Sequence, residues 1–286
     1  MNDELYTVEQ IEQMVPAFKS KAGHCVMRFV ENITQLGKLN KVYTSLAGQH
    51  GVQLAESLLR EFKCSYEVAG FDPELLPSGP FITISNHPYG GVDGIALIDL
   101  FGHVRPDFKV MVNKILGVAK RLGDNFITVT PTGENRTTPT AESINGIKAA
   151  MQQVRSGGVL GLFPSGAVSD LKPMEGCIRD REWQLPVIKL IKKLNVPVVP
   201  VRFFDRNSNF YYLLGLLSWK IRLFRLPCEL FNKEGKKVRI GIGQVISPET
   251  INSYSSLEDL RAFLRSSVYD MPLPESFTPR SELFVP

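Results

Sequence analysis

From Ser65 onward, short runs rich in β-branched and aromatic residues alternate with stretches of helical periodicity, and this alternation constrains the fold more than any other feature. The strand-like runs are residues 66–68, 81–85, 108–112, 126–130, 159–163, 198–203 and 238–242. Helical patterns cover 95–101, 141–154, 183–194 and 257–268. Parallel strands need a long crossover connection, and a helix is its usual form. The repetition therefore predicts an α/β fold with a largely parallel central sheet flanked by helices.

The flanks of this region read differently. Residues 1–63 form an N-terminal helical extension. In it Ile11, Met14, Val15 and Phe18 recur at helical spacing, with Pro16 ending or kinking the segment. Val52, Ala55, Leu58 and Leu59 make a second stripe, suited to packing on the main domain. Residues 64–270 are the main domain. Residues 271–286 carry four prolines and read as an irregular tail.

Composition excludes several classes. The chain has 286 residues, 43% of them hydrophobic, enough for one sizeable core. A formal net charge of +4 is too mild to point to nucleic acid. No apolar run approaches the ~20 residues of a spanning helix. The opening MNDELYTVEQIEQM lacks the apolar centre of a secretory signal. Cys25, Cys64, Cys177 and Cys228 form no CxxC pair, which fits reduced thiols in a cytosolic protein. The histidines outside the motif below (His24, His50 and His103) have no ligand spacing, so a metal is not expected.

Three stretches carry the chemistry. The first is Ser85-Asn86-His87-Pro88-Tyr89-Gly90-Gly91-Val92-Asp93-Gly94, between an apolar strand and an apolar helix. Strand carboxyl ends are where such sheets collect functional groups. His87 can take a proton near neutral pH, and a carboxylate can fix its tautomer. His87 and Asp93 meet only if the backbone turns back, which Pro88, Gly90 and Gly91 permit. The same spacing also fits a plain turn, with Asp93 capping the helix and His87 at the surface. The second stretch, Phe163-Pro164-Ser165-Gly166-Ala167-Val168-Ser169, also ends a strand. It could hold an anion or an oxyanion, or be an ordinary strand-to-helix turn. It is not a nucleophile elbow, because Phe163 and Ala167 stand where G-x-S-x-G needs glycine. The third stretch, residues 195–202, has Pro197 and Pro200 within an apolar run. Proline cannot donate to a ladder, so this strand is expected at a sheet edge or with irregular ends.

In this order the stretches resemble the PlsC-like glycerolipid acyltransferases, over roughly residues 65–250. Asn86-His87 and Asp93 are similar to the family's NH-x4-D, with the aspartate one residue later. Residues 126–131 and Arg136 loosely match the second motif. The 163–169 stretch resembles FPEGTRS, with Ser165 in place of glutamate. Residues 196–200 resemble the V-P-x-x-P strand. The spacing His-Pro-x-Gly-x-x-Asp-Gly looks like a bacterial branch that includes acyltransferases of amino-acid lipids.

The resemblance implies a fatty acyl transfer from acyl-CoA or acyl-carrier protein to a lysophospholipid or amino-acid-lipid acceptor. His87 would be the general base and Asp93 its orienting partner, without a cofactor, metal or covalent acyl-enzyme. Asn86, Phe163, Pro164, Ser165 and Gly166 would line the substrate site, with backbone amides near Gly166 as oxyanion donors. Arg136 and Arg202 could bind an anionic headgroup, although solvated surface positions fit both equally well. The glutamate-to-Ser165 departure puts an amino-acid lipid forward as acceptor. Two other readings keep the same residues, a lipid-binding protein without turnover and a thioesterase using water. A lipid product requires membrane access. Residues 210–226 interleave aromatic and leucine side chains with Lys220, Arg222 and Arg225. Nine basic and three acidic residues between Arg202 and Arg239 favour an anionic leaflet. The expected location is peripheral, on the cytoplasmic face of the membrane.

Overall fold

The structure, a computed structural model, describes residues 4–9, 12, 19–130 and 141–284. The stripe Ile11, Met14, Val15 and Phe18 and the position Arg136 lie outside the described residues. The N-terminal region contains α1 (Lys21–Thr34), α2 (Leu36–Ser45) and α3 (Gly51–Glu61). The α3 stripe is buried as its periodicity requires, through Leu54, Ala55, Leu58 and Leu59.

The sheet has eight strands. In chain order they are β1 (Ser65–Ala69), β2 (Ile82–Ser85), β3 (Lys109–Asn113), β4 (Phe126–Val129) and β5 (Leu160–Leu162), then β8 (Val198–Phe203), β9 (Lys237–Ile242) and β10 (Thr278–Pro279). Strands β6 (Asp170–Lys172) and β7 (Cys177–Arg179) form a separate antiparallel hairpin. The spatial order is β10-β1-β9-β8-β2-β5-β3-β4. Strands β8, β2, β5, β3 and β4 run parallel, the direction reverses between β8 and β9, and β1 lies parallel to β9. The sheet is thus α/β and largely parallel, as expected.

The remaining helices are α4 (Gly91–Gly102), α5 (Ala141–Arg155), α6 (Leu185–Leu194), α7 (Asn209–Leu217), α8 (Trp219–Phe231), α9 (Pro248–Ser253), α10 (Leu257–Tyr269) and the short α11 (Arg280–Leu283). Strands covered on both faces read as continuous apolar runs rather than alternating ones. In β8, Val199, Val201 and Phe203 join one core with α3 and α4, while Val198 joins another with α5, α6 and α10.

Strand β8 corrects one expectation. It is not an edge strand but lies between β2 and β9. Its second ladder is interrupted where Pro200 sits. Val201 pairs with Ile242, but Val198 pairs with Ile246, so β9's side carries one extra residue. This bulge leaves Pro200 with no donor to supply, while its carbonyl accepts from the Gly243 N–H at 2.8 Å. The tail also differs from an irregular segment, since Glu67 and Val68 of β1 pair with β10.

Candidate active site

Register explains why distant motifs meet. Ile84 of β2 sits beside Leu162 of β5 and Pro200 of β8, all three strands pointing the same way. Their carboxyl ends therefore deliver Asn86-His87, Phe163-Pro164 and Phe203 to one edge of the sheet. Asn86 is buried and ties two of these ends together. Its amide donates to the Phe203 carbonyl and accepts from the Phe203 N–H, both at 2.8 Å.

Beyond Asn86 the chain turns back on itself. Gly90 adopts φ +79°, a region a side chain resists, and a Cβ there would press on Leu226 and Val168. The turn brings Asp93, in the first turn of α4, under residues 87–90. Asp93 Oδ2 accepts from the N–H groups of Tyr89 and Gly90, each at 2.9 Å, and lies 2.9 Å from His87 Nδ1. The contact to the ring is short but bent away from ideal hydrogen-bond geometry. The two readings of the spacing are thus combined: Asp93 secures the helix start and also faces the histidine. His87 is not a surface residue, with its side chain 17% exposed against 0% for Asp93. Burial pushes the Asp93 carboxyl up from its ordinary range, while the bonds from His87 and the two backbone N–H groups act against that shift. Asp93 Oδ1 is buried and has no hydrogen-bond partner among the described residues.

The second stretch closes over the ring. Phe163 stacks on His87 with ring centroids 4.1 Å apart and 29° between the planes. The Ser169 N–H donates to the His87 carbonyl at 2.9 Å. Pro164 and Ser165 are held from behind by Gln184, whose backbone N–H bonds the Pro164 carbonyl and whose amide bonds that of Ser165. Ser165 is buried, and its hydroxyl donates to the Ala167 carbonyl at 2.8 Å. The Gly166 N–H donates to the Phe163 carbonyl within the turn, so in this conformation it is engaged rather than aimed at an oxyanion. Arg202 is not brought to His87. Its guanidinium bonds the carbonyls of Tyr269 and Met271 and lies over the Phe204 ring.

Several residues with a part in the site were not legible from the sequence. Asp180 is 1% exposed and follows the β6–β7 hairpin, whose three-residue strands are too short for periodicity to reveal. Its carboxylate accepts from the His87 N–H at 3.1 Å, the Ser169 hydroxyl at 2.6 Å and the Trp183 indole at 3.1 Å. Burial pushes Asp180 up as well, while its hydrogen bonds and the nearby His87 act against that shift. From the other side, the Tyr212 hydroxyl donates to the Pro88 carbonyl at 2.6 Å, and the Asn207 amide to that of Tyr89 at 3.1 Å. Arg222 is 4% exposed and bonds the carbonyls of Ser169 and Val168. Its guanidinium also pairs with Asp170 at 2.5 Å. One carboxylate–histidine group elsewhere, Glu56, Asp99 and His103, has a metal-like arrangement, but Arg280 already binds both of its carboxylates.

A largely buried histidine facing a buried carboxylate, with its backbone fixed on both sides, is chemically able to take and return a proton. Sequence comparison identifies the class to which it belongs. Residues 12–273 match the model of a family described as acyltransferase, and the chain belongs to that family. It is an enzyme that transfers acyl groups other than aminoacyl groups. The chain is 25% identical to the lyso-glycine lipid O-acyltransferase of Bacteroides thetaiotaomicron over 253 residues, covering 86% of this chain and 89% of that protein. It is also 25% identical to the lyso-glycine lipid O-acyltransferase of Phocaeicola vulgatus over 285 residues, covering 95% and 98%. Among solved structures, the 1-acyl-sn-glycerophosphate acyltransferase PlsC of Thermotoga maritima shares the fold at a TM-score of 0.50 and 16% identity, over 86% of each chain. Among the described residues no helix is long and apolar enough to cross a membrane.

Proposed function

We propose that this enzyme moves a fatty acyl group from acyl-CoA or acyl-carrier protein to the free hydroxyl of a lyso-amino-acid lipid, with His87 as general base and Asp93 as its orienting partner. A lysophospholipid is the second acceptor class. The observation that carries this reading is the meeting of the His87 ring with Asp93 on one side and Phe163 on its face. With Nδ1 turned to Asp93, Nε2 is left to take the acceptor's proton as its oxygen attacks the thioester carbonyl. The tetrahedral adduct then expels the thiolate, which recovers that proton from the imidazolium. Asp93 stabilises the imidazolium between these steps. Neither a covalent acyl-enzyme nor a cofactor enters the scheme. Phe163 and Pro164 shape the wall beside the ring, and Asn86, Ser165 and Gly166 hold that wall and the strand ends in place.

The acceptor assignment draws on two names and one substitution. Both curated relatives are named for lyso-glycine lipid. Ser165, where PlsC-like enzymes carry glutamate, removes an acidic side chain that an anionic amino-acid headgroup would have to face. Arg136 is the basic residue proposed for that headgroup, Arg202 being engaged elsewhere. The proposed location is the inner face of an anionic membrane.

Acceptor competition tests this reading. Purified enzyme would receive a long-chain acyl thioester with lyso-glycine lipid and lysophosphatidic acid together, and the products would be weighed by mass spectrometry. Preferential formation of the doubly acylated glycine lipid is expected. Exclusive formation of phosphatidic acid would overturn the acceptor, and free fatty acid alone would make the enzyme a thioesterase.

A further inference from the structure

Helices α7 and α8 form a hairpin with two unlike faces. The inner face holds both loops of the site. Tyr212 bonds Pro88, Arg222 bonds Val168 and Ser169, and Leu226 lies against Gly90. The hairpin is closed at its base by Glu229, which accepts from the Ser208 N–H at 3.0 Å and from its hydroxyl at 2.7 Å. Just beyond it, the buried Lys233 bonds Asn207, which in turn bonds Tyr89. These bonds tie the hairpin to residues 87–90 and 168–170 together.

Among the described residues the outer face is apolar and uncovered. Leu217 is 79% exposed, with Phe210, Leu213, Trp219, Ile221 and Phe224 each about half exposed or more. Isolated exposed leucines are ordinary, but a cluster on one helical hairpin is not. Helix α1 extends this surface. It packs on α8, with the Cys228 thiol 3.2 Å from the Ile33 carbonyl. Its own exposed stripe, Val26, Phe29 and Ile33, recurs at helical spacing.

We propose that α1, α7 and α8 form a platform that lies in the interfacial layer of an anionic lipid surface, and that its insertion orders the two loops around His87. A lipid surface suits the platform better than a protein groove because large apolar side chains alternate in sequence with Lys220 and Arg225. The Arg225 guanidinium lies over the Phe210 ring, at the border of the apolar face, where a headgroup phosphate could meet it. Such helices bind through apolar burial plus attraction to anionic headgroups. The inference rests on the lipid acyl-transfer reading, and its test is chosen to work without turnover.

Wild type, Leu217→Glu, Phe224→Glu, Leu75→Glu and His87→Ala would be sedimented with phosphatidylcholine vesicles, with and without phosphatidylglycerol. Leu75 is an exposed apolar residue at the amino-terminal edge of the sheet, away from the loops. Binding should rise with phosphatidylglycerol and fall with salt. The Leu217→Glu and Phe224→Glu variants should lose it by on the order of tenfold or more, while Leu75→Glu and His87→Ala bind as wild type does. Hydrogen exchange on vesicles should slow at residues 87–90 and 168–170 in the wild type. In Tyr212→Phe, which keeps the outer face, binding should persist and the slowing at 87–90 should shrink. Equal binding by all variants would overturn the platform. A wild-type dimer that dissociates in the glutamate variants would assign the face to a second copy instead. Normal binding with no change in loop exchange would overturn the coupling. If acyl transfer itself failed while these results held, the platform would stand and the catalytic reading would fall.

Discussion

Helix α4 carries two fully buried aspartates, Asp93 at its start and Asp99 near its end, and their surroundings are opposite in kind. Asp99 is saturated. Arg280 binds both its oxygens at 2.9 and 3.0 Å, and the Tyr66 hydroxyl donates at 2.7 Å. Asp93 faces a titratable ring and two backbone N–H groups, and one of its oxygens has no partner among the described residues. A buried carboxylate normally requires full compensation. Where compensation is complete, as at Asp99, the group locks the C-terminal segment to α4 and, through Tyr66, to β1. Where it is left partial, as at Asp93, the proposed mechanism supplies the missing positive charge on His87 when the ring takes a proton. The fold bears a cost at one end of the helix that it avoids at the other.

The sharpest way to break this contrast is to neutralise each aspartate. Asp93→Asn should lower kcat by roughly 10³–10⁴ while leaving the fold at least as stable. The pH dependence of that stability follows from the raised folded-state value of Asp93. The carboxyl holds its proton more tightly folded than unfolded, so it favours the fold below the ordinary carboxylate value of about 4 and loses that contribution as pH rises above it. Urea midpoints measured across pH should therefore show Asp93→Asn gaining on wild type from acid toward neutral pH. Asp99→Ala should do the reverse, costing roughly 3 kcal/mol because Arg280 loses two hydrogen bonds and keeps Glu56 as its carboxylate partner, while the buried Tyr66 hydroxyl loses its acceptor. Activity per folded molecule should be nearly intact.

Asp180 sharpens the comparison from outside the helix, because it is buried beside the same histidine but touches only its backbone. Asp180→Asn should lower kcat by about ten- to a hundredfold through misplacement of the ring, with KM little changed. A loss confined to stability would reduce Asp180 to scaffold. The smallest effect is expected at Ser165. Removing its hydroxyl breaks one bond to the Ala167 carbonyl, so Ser165→Ala should cost about 1 kcal/mol or less and change kcat/KM by no more than a few-fold. A larger kinetic loss would bring that hydroxyl into direct contact with substrate.

The legible part of this molecule was local. Short β-rich apolar runs located seven strands of the sheet, β1 to β5, β8 and β9, and helical periodicity located the α3 stripe, because burial leaves a strong apolar record. Asn86, His87, Asp93 and Phe163 were visible because they flank strands that the sheet pairs directly. The rest depended on long-range geometry. Asp180 and Arg222 act from just after a hairpin of three-residue strands and from the inner face of a helix whose composition suggested only solvent or lipid. Arg202 looked available because sequence does not reveal that the carbonyls of Tyr269 and Met271 cap it. Pro200 pointed to an edge strand or to irregular ends, and sequence alone did not choose between an edge and the bulge that lies across from it.

The most direct measurement of the central claim is thiol release from a long-chain acyl thioester, with and without lyso-glycine lipid, by wild type and His87→Ala. Wild type should release thiol in step with formation of the diacylated lipid and only when the acceptor is present, and His87→Ala should lose this by at least ~10³-fold. Release at the same rate without acceptor, or undiminished transfer by His87→Ala, would contradict a histidine-based acyl transfer.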